Sequence, residues 1–455
     1  MSNIDELLIR EIECLQKNNT AYWDFNEAKK EHIHKLLTYP ATMVPEMQSK
    51  LLELIISLDP SINNILDPFM GSGTILVEGI LRGLKVSGID INPLAYLLCD
   101  TKTSYIDTQT LEKYKKKVFN RLDQVDQMEN IKEVEFTNVK KWYKDDIIKY
   151  LSYIKNEILE IEKITVRRFF WICFCSILIE SNNSRKSTFK LHIKPQEQID
   201  NFKYDVIKKF KKCVENNIDR YIEYINLLGN KSSKQKEMLN GHKLYYGNTI
   251  KILKDKRSFK TESIDLIVTS PPYGDNHTTV TYGQFSNLPL RWVELKDIHL
   301  NVSKKMVEKI TSIDKESLGG RNYILTDIES SNILERSKTL ADIYKELLNE
   351  NEVEKAKKIA SFTIDFESAF IEMARVLKQD GYMILTVGNR RVHNKVIELN
   401  KIIYELSEVY NLKVIYECTR NISNKRIPSK VSTIKNNGAV SSIKKEYIII
   451  IRKTK

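Results

Sequence analysis

The sequence predicts an α/β protein built on a doubly wound, mostly parallel sheet of seven strands. Short apolar segments recur along the chain with helical patterns between them. A glycine-rich turn follows the first of these segments, and a double proline follows the fourth. The predicted strands are Asn64–Phe69, Lys85–Ile91, Lys243–Gly247, Ser263–Thr269, Gly381–Val387, Leu412–Glu417 and Glu446–Arg452.

Helical patterning fills the intervals between these strands. Ile75–Leu81 is apolar, as expected of a crossover helix packed on the sheet, and Phe366–Leu377 is an amphipathic helix that leads into the fifth strand. The last two strands form a closing pair. The first sixteen residues also have the pattern of an amphipathic helix.

Residues 101–242 and 275–360 are too long for ordinary connections between neighbouring elements. Both contain helical patterns, and neither shows repeats or low complexity. We therefore predict one main domain, formed by residues 1–100 and 243–455. A helical insertion at 101–242 interrupts this domain, and a second insertion at 275–360 lies within it.

Composition narrows the class of protein. The chain has 455 residues, 42% of them hydrophobic, which is typical of a folded protein with a sizeable core. It has no run of eighteen apolar residues and no charged-then-apolar leader, so we expect a cytoplasmic protein that does not contact the membrane. Six cysteines lack CxxC spacing, and we expect neither a disulfide framework nor a metal site.

The net charge of +12 and the pI near 9.1 suit a polyanionic partner, because neutralising phosphates releases counterions. Charge alone does not identify that partner. Lysine is also frequent in proteins of AT-rich genomes, and this chain is rich in Lys, Ile and Asn throughout.

The first candidate site is the turn after the first strand, Asp67–Thr74 (DPFMGSGT). Gly71 and Gly73 allow the backbone to turn tightly and to approach a ligand closely. Asp90 ends the second strand, where a ribose diol would find an acceptor. The pattern predicts a ligand pocket, and the alternative for the turn alone is a purely structural connection.

The second candidate site is the loop Thr269–Tyr273 (TSPPY), directly after the fourth strand. Its two prolines cannot continue a strand ladder, and they fix a rigid loop at the ligand-binding edge of the sheet. The Ser270 hydroxyl and the Pro271 carbonyl can accept the two hydrogens of an exocyclic amine, while Tyr273 can stack on the base. The alternative is a plain turn after a strand.

Together the two motifs resemble those of amino-directed DNA methyltransferases, which methylate cytosine N4 or adenine N6. The resemblance implies a Rossmann-like methyltransferase sheet with an antiparallel last strand, S-adenosylmethionine as cofactor and double-stranded DNA as partner. The main domain would then be the catalytic domain. Its catalytic residues would be Ser270, Pro271, Pro272 and Tyr273.

The resemblance also assigns roles in cofactor binding. The backbone of Phe69–Gly73 would hold the methionine part, Asp90 the ribose hydroxyls and Ile91 the adenine. Asn248 stands where the family often has an aspartate facing the adenine amino group. The implied cofactor-binding residues, including a capping segment upstream, are His34, Tyr39, Pro40, Asp67, Pro68, Phe69, Gly71, Gly73, Thr74, Asp90, Ile91 and Asn248.

Ser-Pro-Pro-Tyr is more typical of cytosine-N4 enzymes of this family, whereas Asp-Pro-Pro-Tyr and Asn-Pro-Pro-Tyr are more typical of adenine-N6 enzymes. The chain lacks the Pro-Cys dipeptide expected of ring-carbon cytosine methyltransferases. We therefore predict methylation of a flipped cytosine at N4 by the modification enzyme of a restriction system, with a cognate endonuclease as functional partner. The alternatives are an adenine-N6 enzyme, an RNA guanine-N2 enzyme and a catalytically inactive DNA-binding module.

DNA contacts are expected from three places: the loop after the catalytic tyrosine, the cations after the fifth strand, and the basic connection between the last two strands. We expect residues 101–242 to be the main recognition region, with 275–360 contributing. The candidate DNA-binding residues are Asn276, His277, Tyr282, Arg390, Arg391, Arg420, Lys425, Arg426 and Lys430.

Overall fold

The computed structural model describes residues 3–125, 131–187, 189–275, 279–422, 430–431, 440–441 and 445–454. Its centre is a seven-stranded sheet of order β3-β2-β1-β4-β5-β11-β8. Two two-stranded sheets, β6-β7 and β9-β10, accompany it. The strands are β1 Asn64–Asp67, β2 Lys85–Asp90, β3 Lys243–Tyr246, β4 Ile264–Thr269, β5 Leu377–Gly388, β6 Arg390–Val392, β7 Lys395–Ile397, β8 Leu412–Asn421, β9 Lys430–Val431, β10 Val440–Ser441 and β11 Lys445–Lys453.

The pairing within the large sheet confirms the predicted fold class. Strands β3, β2, β1, β4 and β5 are parallel to their neighbours, and β11 is antiparallel to both β5 and β8. The antiparallel last strand therefore lies inside the sheet, and β8 forms its edge. The chain reverses its direction of winding between β1 and β4, so the carboxyl ends of these strands flank the point where such sheets bind ligands.

Helices cover both faces of the sheet and make up both insertions. They are α1 Asn3–Asn18, α2 Pro45–Leu58, α3 Thr74–Leu81, α4 Pro93–Thr103, α5 Thr108–Leu122, α6 Val139–Trp142, α7 Asp145–Leu159, α8 Ile164–Ser181, α9 Gln196–Asp200, α10 Val206–Leu227, α11 Ser232–Leu239, α12 Thr249–Lys254, α13 Tyr282–Trp292, α14 Leu295–Ile298, α15 Lys304–Glu308, α16 Ser312–Glu316, α17 Leu325–Ser330, α18 Ile333–Arg336, α19 Lys338–Asn349, α20 Val353–Val376 and α21 Leu399–Val409. Short 3-10 helices span Tyr22–Asp24 and His32–Lys35.

The apolar core has two layers because successive strand residues point to opposite faces of the sheet. In β11, Ile448 and Ile450 belong to one hydrophobic cluster, while Ile449 and Ile451 belong to the other. All four side chains are buried. A strand covered on both faces is apolar without interruption, which explains the sequence IIII at this point.

The strand before the closing pair differs from its prediction at its start. β5 begins at Leu377 rather than Gly381, and the helix before it, α20, is 24 residues long rather than the shorter Phe366–Leu377. The first turns of α20 belong to the predicted second insertion. This insertion therefore leads into the core without an intervening loop.

The first insertion packs on the sheet domain through α8. This helix is buried along most of its length and shares a hydrophobic cluster with β1, β2 and α4. Arg168 Nη1 donates to Asp100 Oδ2 of α4 at 2.9 Å, and Trp171 Nε1 donates to Asp297 Oδ2 of α14 at 2.9 Å. The helix thus joins both insertions to the core.

Among the described residues, no helix combines the length needed to cross a bilayer with sufficient apolar character.

Candidate functional site

A cavity opens at the carboxyl ends of β1, β2 and β4, and it encloses about 810 Å³, part of which is open to solvent. Its wall combines the glycine-rich turn, the end of β2, the loop Thr269–Tyr273 (named the catalytic loop after its predicted role), a segment before α2 and part of the second insertion. The lining residues are Tyr39, Pro40, Ala41, Thr42, Met43, Phe69, Met70, Gly71, Ser72, Asp90, Ile91, Asn92, Asn248, Thr249, Ser270, Pro272, Tyr282, Ile313, Ser317 and Leu318.

The glycine-rich turn forms the floor of this cavity. Gly71 and Gly73 have φ values of +45° and +74°, in the left-handed region that favours glycine. The turn closes through a 2.7 Å hydrogen bond from the Gly73 amide to the Met70 carbonyl. Helix α3 then starts with Gly73 as its N-cap. The backbone of the turn therefore faces the cavity at the amino end of a buried helix.

Asp90 connects the turn to the end of β2. Its Oδ2 accepts from the Gly71 amide at 2.9 Å, and its Oδ1 accepts from the Asn92 amide at 2.8 Å. Burial raises the pKa of Asp90 to about 6. The carboxylate has further lone pairs available to a ligand in the cavity, since a carboxylate offers about four acceptor positions.

Asp67 stabilises the glycine-rich turn through hydrogen bonds of its side chain. It is fully buried, and its Oδ1 accepts from Thr269 Oγ1 at 2.6 Å and from the Phe69 amide at 3.1 Å. Burial raises its pKa to about 7. Since Thr269 is the last residue of β4, Asp67 holds the glycine-rich turn and the catalytic loop at a fixed separation. The side chain itself does not line the cavity.

Pro68 and Thr74 of the predicted cofactor motif also lie outside the cavity lining. Pro68 accepts a 2.7 Å hydrogen bond at its carbonyl from Thr249 Oγ1, and the buried Thr74 contacts Ser72 Oγ at 3.3 Å. Asn248 does line the cavity, but its Oδ1 caps α12 by accepting from the Lys251 amide at 3.2 Å. Its Nδ2 donates to the Glu316 carbonyl.

The upstream segment closes one side of the cavity, and Tyr39 and Pro40 are part of its lining. The Tyr39 hydroxyl accepts from Asn92 Nδ2 at 2.9 Å, and its ring stacks on Tyr282 with centroids 5.9 Å apart. His34 is different. It is buried outside the cavity, with Nε2 2.9 Å from Glu78 Oε1, and burial lowers its pKa to about 4. The prediction that His34 contacts the cofactor is therefore wrong, and the side chain packs against α3 instead.

The catalytic loop brings Ser270 and Pro272 to the cavity wall, while Pro271 is buried. Tyr273 does not line the cavity. Its ring packs on Gly388, where an added Cβ would lie 2.7 Å from ring atoms, and its hydroxyl donates to Glu446 Oε1 at 2.9 Å. Ser270 Oγ lies 3.2 Å from the Tyr273 hydroxyl.

Comparison with known proteins gives the family. A family model described as a DNA methylase, N6_N4_Mtase, matches residues 9–99. Along its whole length the chain is 32% identical to Type II methyltransferase M.MvaI of Kocuria varians, and the match covers 98% of that protein. The chain belongs to the amino-directed DNA methyltransferases. This confirms the family inferred from the two motifs.

More distant relatives of this methyltransferase have the same description. Type II methyltransferase M.AvaI of Nostoc sp. is 24% identical over 383 residues, which is 78% of this chain and 74% of that protein. Type II methyltransferase M.MjaII of Methanocaldococcus jannaschii is 34% identical over 83 residues, covering 18% of this chain and 15% of its own.

The structure corrects two of the cations predicted to contact DNA in this methyltransferase. Arg390 is 9% exposed, and its Nη1 donates to the fully buried Asp275 at 2.9 Å. Arg420 is 7% exposed and lies 3.6 Å from Glu446. Burial places both guanidinium groups out of reach of a phosphate. Arg391, in contrast, is exposed.

Of the remaining predicted DNA contacts, Tyr282 and Lys430 are among the described residues. Tyr282 belongs to the cavity wall beside Tyr39, rather than to an open DNA-facing loop. Lys430 begins β9. Asn276, His277, Lys425 and Arg426 lie outside the described residues.

Sequence reasoning missed several residues of the site. Asn92 donates to Tyr39 and to Ser286 Oγ, the latter at 2.7 Å, and also caps α4. Its position before Pro93 has the pattern of a helix N-cap, which was the available signal. Ile313 and Leu318 reach the cavity from the second insertion, and no local pattern indicates this.

Proposed function

We propose that this methyltransferase transfers a methyl group from S-adenosylmethionine to the N4 amino group of a flipped cytosine in double-stranded DNA. One observation supports the proposal above all others. Ser270 and Pro272 of the catalytic loop line the same cavity as Gly71 and Asp90 of the cofactor motif. Holding the two reactants in one cavity supplies the entropic part of the rate enhancement.

The cavity suits S-adenosylmethionine in its lining, which combines apolar side chains with a few polar groups, as is typical of small-molecule sites. The remaining lone pairs of Asp90 suit the ribose hydroxyls, Ile91 offers apolar surface to the adenine, and the backbone of Phe69–Ser72 offers polar groups to the methionine part. When bound, the cofactor supplies an electrophilic methyl group.

Ser270 and Pro271 would activate the amine. The lone pair of an exocyclic amine is delocalised into the ring, which makes the nitrogen a poor nucleophile. Hydrogen-bond acceptors at Ser270 Oγ and at the Pro271 carbonyl would favour a tetrahedral nitrogen and stabilise the positive charge that develops on it. This arrangement needs no covalent bond between the enzyme and the base.

Cytosine is proposed as the target because the loop begins with Ser270, the residue more typical of cytosine-N4 enzymes in this family. Adenine N6 is the alternative, since the cavity suits either amine. To distinguish them, the protein is incubated with S-adenosylmethionine labelled in the methyl group and with unmodified DNA, which is then digested to nucleosides. We expect label in N4-methyldeoxycytidine. Label in N6-methyldeoxyadenosine alone would overturn the cytosine assignment, and label only in a parallel RNA sample would overturn the DNA substrate.

A substitution in the catalytic loop tests the role of Ser270. Ser270→Ala removes the proposed side-chain acceptor, and the single-turnover rate should fall by about 100-fold or more, as for loss of a transition-state hydrogen bond. Cofactor affinity should survive. Ser263→Ala, just before the amino end of β4, is the matched control and should leave the rate unchanged. Loss of cofactor binding in the Ser270 variant would show that the loop is misassigned.

The whole-length relative is a type II methyltransferase, which supports a role as the modification enzyme of a restriction system with a cognate endonuclease. We propose that residues 1–100 and 243–455 form the catalytic domain and that the insertion 101–242 is the main DNA-recognition region. DNA protection assays on a plasmid library would reveal the recognition sequence. Deletion of the insertion is unsuited to this purpose, since α8 is part of the core.

A further inference from the structure

A chain of hydrogen-bonding groups leads from the cavity wall into the sheet. Ser270 Oγ is 3.2 Å from the Tyr273 hydroxyl, which is 2.9 Å from Glu446 Oε1. Glu446 stands near the start of β11, directly opposite Gly388 of β5 and Arg420 of β8. Neither motif of the family includes Glu446, and the sequence gives it no role.

The chemistry of the three groups fixes the direction of the chain. The carboxylate of Glu446 only accepts hydrogen bonds, and Arg420 Nε lies 3.6 Å from its second oxygen. The Tyr273 hydroxyl keeps its proton, because burial raises its pKa well above the usual value, and it donates that proton to Glu446. Its oxygen is then left to accept from Ser270.

This direction determines what Ser270 presents to the cavity. The single hydrogen of a serine hydroxyl is used in the bond to Tyr273, so the lone pairs of Oγ remain for a ligand. A target amine needs acceptors, since it brings hydrogens. If the chain ran in the opposite direction, Ser270 would direct its hydrogen into the cavity and repel the amine.

We propose that Glu446 is a positioning residue for methyl transfer, which acts through Tyr273 to make Ser270 a hydrogen-bond acceptor for the target amine. The proposal rests on the proposed function, because it assumes that Ser270 accepts a hydrogen from the amine. It also gives Arg420 a function. The buried guanidinium of Arg420 neutralises the carboxylate of Glu446, which is the last group of the hydrogen-bond chain.

Glu446→Gln tests the direction of the hydrogen-bond chain, because it changes the side chain's hydrogen-bonding groups with little change in volume. The positive charge of Arg420, whose Nε lies 3.6 Å from this end of the side chain, favours the carbonyl oxygen of the new amide on its own side, which turns the amide NH2 toward Tyr273. The hydrogen bonds between residue 446, Tyr273 and Ser270 then run in the opposite direction. We expect the single-turnover methyl-transfer rate at saturating cofactor and DNA to fall by about 10- to 100-fold, the range for one hydrogen bond to a charged group. Cofactor affinity, measured by calorimetry, should stay within about twofold because the cofactor motif is untouched.

The matched control is Glu417→Gln. Glu417 is a carboxylate on the neighbouring strand β8, paired with Ile449 of β11, and its hydrogen bond goes to Asn400 rather than to the catalytic loop. This variant should keep the wild-type rate. An equal fall in both variants would indicate a general effect of removing charge from this part of the sheet, and would overturn the proposal.

Tyr273→Phe provides a readout that a merely structural role would not move. Phe keeps the ring and removes the hydroxyl, so Ser270 loses its partner and the rate should fall. Glu446→Gln should cause no further fall in this background, because its effect runs through the missing hydroxyl. A full additional loss, or a wild-type rate in either single variant, would overturn the proposal.

Misfolding of Glu446→Gln and failure of the wild-type protein to methylate DNA are distinguished from failure of this inference. If Glu446→Gln does not fold, as judged by its thermal midpoint, the rate of Tyr273→Phe alone decides, and a wild-type rate there overturns the inference. If the wild-type protein does not label DNA, the proposed function fails and this inference fails with it. Labelling of DNA by wild type and by Glu446→Gln at equal rates overturns the inference alone.

Discussion

Gly73 is the position where the glycine-rich turn tolerates a side chain least. Its φ of +74° costs an alanine about 1–2 kcal/mol. An added Cβ would also lie 2.9 Å from the buried Cys99 Sγ, closer than carbon and sulfur pack. Overpacking of this kind costs about 1–3 kcal/mol. We therefore expect Gly73→Ala to lower the free energy of unfolding by about 2–5 kcal/mol, the sum of the two effects.

Gly83→Ala is the control for backbone strain. Gly83 has the same φ of +74°, but an added Cβ there meets no atom within 4 Å. Its cost should be limited to about 1–2 kcal/mol. Urea unfolding of both variants measures the difference, which isolates the contact with Cys99. Calorimetric titration with S-adenosylmethionine should show weaker binding for Gly73→Ala and unchanged binding for Gly83→Ala, since only the first lies in the turn.

A double variant tests the cause directly. Cys99→Ala removes the sulfur that Gly73→Ala would strike, and the next side-chain atoms are at 3.7 Å, an ordinary contact distance. In this background Gly73→Ala should cost no more than Gly83→Ala does in the wild type. Unfolding of the Gly73 and Gly83 variants at the same urea concentration would contradict a steric clash with Cys99, and so would an unchanged cost of Gly73→Ala after the sulfur is removed.

Two further predictions concern buried cations. Arg390→Met removes one cationic partner of the fully buried Asp275 and leaves Lys358, so it should lower the free energy of unfolding by about 1.5–3 kcal/mol. The exposed Arg391→Met should change it by less than about 0.5 kcal/mol in urea titrations. Similar values for the two would contradict the burial argument. Burial lowers the pKa of Lys102 from 10.5 to about 7. Between these two pH values the unfolded chain keeps a proton that the folded protein has lost, so the free energy of unfolding should rise with pH in this range. Lys102→Met should lack this rise, and parallel curves of stability against pH for the two proteins would contradict the assignment of the rise to Lys102.

The sequence predicts the sheet well because its signals are local. A buried parallel strand needs only a short apolar segment, and the turn after it needs glycine where φ is positive, as at Gly71 and Gly73. The predicted start of β5 at Gly381 is wrong. In the structure β5 already begins at Leu377, four residues earlier.

The roles of charged and polar side chains were harder to predict, because they depend on partners far away in the sequence. Arg390 and Arg420 stand among other cations in the chain, and nothing local shows that Asp275 and Glu446 lie beside them. His34 likewise finds Glu78, 44 residues later. Counting cations along a loop therefore overestimates the number that are free to bind phosphate.

Strand pairing also relates the catalytic loop to a basic segment of the sequence. Residues 422–444 carry five lysines and arginines and no acidic residue, which suits a DNA backbone. This segment begins after β8 and ends at β11, close to the register pair of Arg420 and Glu446. Glu446 in turn accepts from Tyr273. The strand pair that flanks this segment in the sequence therefore also carries Glu446, which contacts the loop Thr269–Tyr273.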